Sequence, residues 1–246
     1  MILRCLAALA AIFLVMPTVA AAQERHAVRP GFAYPKDREV KIVVFRPDVR
    51  VGTLTAGGLD EPNADWTATA RTLIAAEIER AHGVQGATVS FVGEPEGEDG
   101  VRLAQYRALF GAVADAIMIH RLFVGNRLQS KKEGLDWTLG EGVSALADAT
   151  GADYGLFLFT HDAYGSSGRK AAQIFGAMFG VAVIPGIHVG YAGLIDLKTG
   201  DVIWLNADPQ MGGDVRTPEG AQKRVGQLLD GLPGRPVEAP ATAKRN

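Results

Sequence analysis

Apolar and polar positions repeat along the chain with two periods, and the switches between them outline the elements. Over Glu39–Val51, Val40, Ile42 and Val44 alternate with Lys41, Val43 and Phe45, which predicts a first strand buried on at least one face. The glycines and proline between Gly52 and Ala64 predict a loop. The period then becomes helical. Trp66, Ala70, Leu73, Ile74, Ile78 and Ala81 fall on one helix face, with Asp65 placed to cap its first amides and Gly83 to end it. A short strand is expected in Ala87–Pro95. A long amphipathic helix follows, carrying Leu103, Tyr106, Phe110, Val113, Ile117 and His120 on one side. A third helix is expected from Asp136 to Gly151, so the tripeptide Asp-Trp-Thr opens two helices through shared capping chemistry. Ala152–Tyr164 has the apolar run of a central strand, with Tyr154, Leu156 and Leu158 on one face and Phe157 and Phe159 on the other.

Ala171–Ile195 contains no acidic or basic side chain apart from one histidine. Its first half, to Val183, continues a helix that Ser167 can cap, with Ile174, Phe175, Met178, Phe179 and Ala182 on one face. Pro185-Gly186 stops that helix, because proline disfavours helical geometry in the residue before it. From Ile187 a strand pattern resumes, so the tract is a helix and a strand, each too short to cross a bilayer. Gly176 and Gly180 form a small-x-x-x-small pair, spaced for close packing of the helix on a sheet or, on a partner- or lipid-facing helix, for helix dimerisation. Lys198-Thr199-Gly200-Asp201 supplies a hairpin turn, and Thr217-Pro218 opens a last helix with Val225, Leu228, Leu229 and Leu232 on its apolar face.

This order predicts an α/β fold: a three-layer sandwich with a mixed central sheet of about five strands, a late hairpin, and helices on both faces. One domain is expected over 39–233, after an extended lead-in at 23–38 and before a disordered tail at 234–246.

Composition places the chain in a compartment. Residues 1–22 carry one cation, Arg4, an apolar run from Leu6 to Met16, and small residues at Ala20 and Ala22. That is the layout of a secretory signal peptide cleaved near Ala22–Gln23, and it implies a periplasmic protein. The single cysteine, Cys5, lies inside this leader, which leaves the mature chain without disulfide, thiolate metal site, thiol nucleophile or lipidation point. Net charge is −2, and −3 without Arg4. No basic run suggests a nucleic acid partner.

Candidate chemistry is sparse. No metal-binding histidine spacing, nucleophile elbow, Walker loop or complete dinucleotide fingerprint occurs, so neither a cofactor nor a metal nor an enzymatic activity is expected. His161, Asp162 and His188 form the alternative: a small-molecule or metal site, or a hydrolase, at the end of the central strand. The leading candidate is a partner surface made by Phe175, Met178 and Phe179.

Two motifs carry a family resemblance. Gly151-Ala152-Asp153-Tyr154 ends a helix and begins a strand, and Asp196, Thr199, Gly200, Asp201 and Val202 form a later hairpin. This pattern resembles the periplasmic domains of curli-secretion-channel lipoproteins and the amino-terminal domain of the Tol-system propeller protein, together with uncharacterised envelope relatives. The resemblance implies a non-catalytic docking or assembly domain that binds an envelope protein or itself as a homo-oligomer, with peripheral outer-membrane association as a further mode.

Overall fold

The structure is a computed structural model that describes residues 26–81, 83–122, 126–131 and 134–235. The expected leader, its expected cleavage point and the tail beyond Arg235 lie outside the described residues.

Among the described residues, eight strands form one mixed sheet. They are β1 (His26–Val28), β2 (Val40–Phe45), β3 (Asp48–Leu54), β4 (Asp60–Pro62), β5 (Ala87–Val92), β6 (Tyr154–Gly165), β7 (Gly186–Asp196) and β8 (Val202–Asp208). The main order is β1-β8-β7-β6-β2-β5. β6 and β2 run parallel, as do β2 and β5, while β6, β7, β8 and β1 alternate in direction.

Three of these strands are additions to the sequence expectation. The apolar run around Val40 does not continue unbroken to Val51. Pro47 has no N–H for a ladder, and the strand breaks at Arg46-Pro47. β2 pairs with Tyr154–Leu156, and β3 resumes alongside β6 from Phe159 to Gly165. The expected loop after Gly52 is instead a hairpin, in which β4 returns antiparallel on β3. The lead-in contributes β1, an edge strand on β8.

The helices are α1 (Ala64–Ala81), α2 (Gly97–Ile117), α3 (Ser144–Thr150), α4 (Ser167–Met178) and α5 (Pro218–Leu228). Ala70, Ile74 and Ile78 of α1, with Ala221, Val225 and Leu228 of α5, pack on Ile42, Val44, Leu156, Leu194 and Trp204. The opposite sheet face packs Val43, Phe45, Phe157 and Leu205 against Leu103, Phe110 and Ile117 of α2 and Leu146 of α3. Helices on both faces of a mixed sheet make the α/β three-layer sandwich.

Local chemistry explains several boundaries. The cap of α1 is Asn63 rather than Asp65: its Oδ1 accepts from the Trp66 amide at 2.9 Å. The second Asp-Trp-Thr opens no helix, because Thr138 bridges to Asp201 and helical structure starts only at Glu141. The two tripeptides are therefore unrelated structurally. Thr217 caps α5 as its sequence suggests, accepting from the Gly220 amide at 3.1 Å.

Candidate functional site

β6 sends alternate side chains to opposite sheet faces, and this decides which candidates can meet. Asp162 points to the α1/α5 face. His188 lies directly across the antiparallel ladder from it, and its Nδ1 is 2.7 Å from Asp162 Oδ1. His161 points the other way, toward α2, and its Nε2 is 2.8 Å from Asp60 Oδ2. The convergence of all three side chains required by a ligand site or hydrolase does not occur, because adjacent residues of one strand cannot share a face.

Asp162 has a partner that sequence reading missed. Arg224 of α5 donates to it from both terminal nitrogens, at 2.6 Å and 2.8 Å, and also to the Thr160 hydroxyl. Asp162 and Arg224 are both fully buried. Burial pushes the Asp162 pKa up, but hydrogen bonds from His188 and Arg224, with the Arg224 charge, outweigh it and hold the carboxyl below its ordinary value. Arg224 falls on the buried side of α5, at helical spacing from Ala221 and Leu228, and a cation there calls for a buried acid. That was the available signal.

Chemically the cluster is a saturated carboxylate. A histidine oriented by an aspartate is part of a nucleophile-activating arrangement. Here the aspartate is consumed by a bidentate guanidinium, and the one hydroxyl beside it, Thr160, is buried and accepts from Arg224. The cluster fastens α5 to the centre of the sheet. Beside it, the Arg216 guanidinium lies 3.8 Å from the Tyr164 ring centroid and 4.4 Å from that of Trp66, and pairs with Asp214 at 2.7 Å. The Arg216 hydrogen bonds lower the Asp214 pKa to about 2.

The His161 side opens into a cleft of about 490 Å³ between β6 and α2, lined by Arg46, Arg50, Arg107, Phe159 and Tyr191 among others. Its cations have acidic partners: Arg46 and Arg107 pair with Glu94, and Arg50 with Asp48. Among the described residues no group of three or more His, Cys, Asp or Glu side chains has the geometry of a metal site.

Phe175, Met178 and Phe179 stand in a different setting. Ser166, not Ser167, caps α4, accepting from the Arg169 amide at 3.1 Å. The helix ends at Met178 rather than Val183, because Gly180 takes a positive φ of 71° and the Phe179 and Gly180 amides turn back onto Gly176 and Ala177. The chain then returns along the helix through Val181–Pro185 before β7 begins. Gly176 makes that return possible: a Cβ there would sit 2.8 Å from the Val181 carbonyl oxygen. The glycine thus packs α4 on its own return segment and not on the sheet.

None of the residues of α4 is buried. Phe179 is 80% exposed, Met178 72%, Ile174 67% and Phe175 63%, and the return segment adds Val181 and Ile184. Arg169 braces the base of this helical hairpin. Its Nε donates to the Ile184 carbonyl at 2.8 Å, and one terminal nitrogen reaches the Thr55 and Ala56 carbonyls of the β3–β4 turn at 3.4 Å. Gln173 donates to the Val183 carbonyl at 3.2 Å. The resemblance motifs serve the opposite end of the sheet: Asp153 pairs with Arg38 and accepts from the Lys41 amide, and Asp196 accepts from the Lys198 and Thr199 amides of its turn.

No protein-family model matches the chain, and no curated protein matches it in sequence. Among solved structures, a PelC dodecamer from Paraburkholderia phytofirmans is similar at 14% identity, over 86% of this chain and 97% of that one, with a TM-score of 0.39. Lipoprotein GNA1162 from Neisseria meningitidis is similar at 14% identity, over 69% and 78%, with a TM-score of 0.27. The LpoB C-terminal domain from Salmonella enterica is similar at 15% identity, over 68% and 79%, with a TM-score of 0.24.

Proposed function

We propose that this chain is a non-catalytic docking or assembly module of the periplasmic envelope, which uses the helical hairpin at Phe175, Met178 and Phe179 to hold another envelope component or a second copy of itself. One observation carries the reading: a short helix with no buried residue, together with its C-terminal cap Phe179, displays two phenylalanines, a methionine and an isoleucine to solvent. A folded domain gains nothing from such a face by itself, and contiguous exposed apolar surface marks a binding site. Burying Ile174, Phe175 and Phe179 would contribute on the order of 5 kcal/mol before association costs. The leader at 1–22 supports the compartment, and the motif resemblance supports the assembly role. The saturated state of Asp162 and the separation of His161 from His188 weigh against hydrolysis.

Cell fractionation tests this directly. The parent protein is expected to stay with the envelope or to self-associate by light scattering. Phe179→Asp is expected to appear in the soluble osmotic-shock fraction as a monomer. A variant that fractionates and associates like the parent overturns the assignment.

A further inference from the structure

The docking role leaves the occupant of the hairpin undefined, and three features of the hairpin narrow it. The first is charge. From Ala163 to Ile195 there is no Asp or Glu, and the two cations, Arg169 and Lys170, both stand at the base of α4. A basic base beneath a charge-free tip matches a phospholipid surface, with phosphates outside and acyl chains within.

The second feature is shape. The exposed apolar side chains come from α4 and also from the return segment, so that Ile174, Phe175, Met178, Phe179, Val181 and Ile184 surround a projecting tip. A protein partner would have to offer a deep apolar groove and a polar rim to match it. A fluid bilayer conforms to it without either.

The third feature is the backbone. In the acyl region no water is present to satisfy a free amide or carbonyl. Here the Phe179, Gly180 and Val181 amides donate to the Gly176 and Ala177 carbonyls, and the side chains of Gln173 and Arg169 cover the carbonyls of Val183 and Ile184. Five polar groups of the turn are thus paired within the hairpin.

Resting on the docking reading, we infer that the occupant is lipid: α4 and its return segment form an interfacial anchor that seats in one leaflet of a phospholipid bilayer. Lys170, exposed at the base, meets the headgroup phosphates. The anchor lies in the interface rather than spanning it. α4 has 12 residues, and among the described residues no helix is long and apolar enough to cross a membrane.

The test is flotation of the purified protein with vesicles of phosphatidylethanolamine and phosphatidylglycerol. The parent is expected to float, and Phe179→Asp to lose roughly tenfold or more in partitioning. Val101→Asp removes an apolar side chain that is 60% exposed on α2 and is expected to float like the parent. Phe179→Trp keeps the tip apolar and reports on its surroundings: its emission is expected to shift to the blue with vesicles and to be quenched by brominated acyl chains. A parent that does not float, or a Phe179→Asp variant that floats equally well, overturns the lipid assignment. If that variant is nonetheless released from the envelope in cells, docking stands with a protein as occupant. If it is retained, docking falls as well.

Discussion

Arg224 is a cation with no access to solvent, and both of its terminal nitrogens meet Asp162. Removing one partner of such a pair leaves a bare buried charge, which costs far more than the pair itself contributes. Asp162→Asn is therefore expected to destabilise the protein by about 3–5 kcal/mol, read by denaturant unfolding, whereas Asp162→Leu combined with Arg224→Leu is expected to cost much less than the sum of the single changes. Acid should act on the same atoms. Asp162, held down by His188 and Arg224 against its burial, and Asp214, held down by Arg216, both have lowered pKa values, so their stabilising contributions are present above the ordinary carboxylate range and are lost as pH falls through the folded values. For Asp214 that loss runs from about pH 5 toward pH 2. Thermal unfolding of the parent should fall steeply over that range, and Asp214→Asn should show a shallower acid slope.

At the scale of elements, the parts that declare themselves in sequence are those whose pattern agrees with their final environment. α1, α2 and the capped α5 have a periodicity that matches one buried face. β3 is read together with β2 as one strand because the break at Arg46-Pro47 interrupts an otherwise continuous apolar run, β4 is hidden because glycines and Pro62 punctuate its hairpin, and β1 because a three-residue strand is too short to show a period. The exposed apolar face of α4 was legible as residues but not as exposure, since an apolar stripe on a core helix reads identically to one on an exposed helix. Arg224 escaped because a cation at a core position is a pairing statement that no spacing rule connects to Asp162, far away in the chain. The α4 hairpin is held by Gly176, the Arg169 brace and Gln173, and not by core burial. Gly176→Val is expected to speed amide exchange across α4 and Val181–Pro185 while moving the global melting temperature by less than about 2 °C.

In the whole molecule, two helical layers close the sheet, and the β6–β7 connection projects beyond them. The ladder between these strands runs up to Tyr164 opposite Gly186, an ordinary hairpin end. Replacing Gly165–Pro185 by Asn-Gly, which favours a tight turn, is expected to give a protein that folds cooperatively with a melting temperature within a few degrees of the parent. The same protein should be fully soluble and released from the envelope. Calorimetry together with fractionation reads both outcomes, and failure of the shortened chain to fold would show that the hairpin supports the sheet after all.

The Arg169 contacts with the β3–β4 turn also govern posture. Because that side chain ties the hairpin to a second connection at the same end of the sheet, the tip cannot swivel freely about β6 and β7. The turn at Lys198–Gly200 closes the far end of β7, 11 residues away, or about 35 Å at strand rise. A molecule reaching that distal turn would meet the protein at the end of the sheet opposite Phe175 and Phe179.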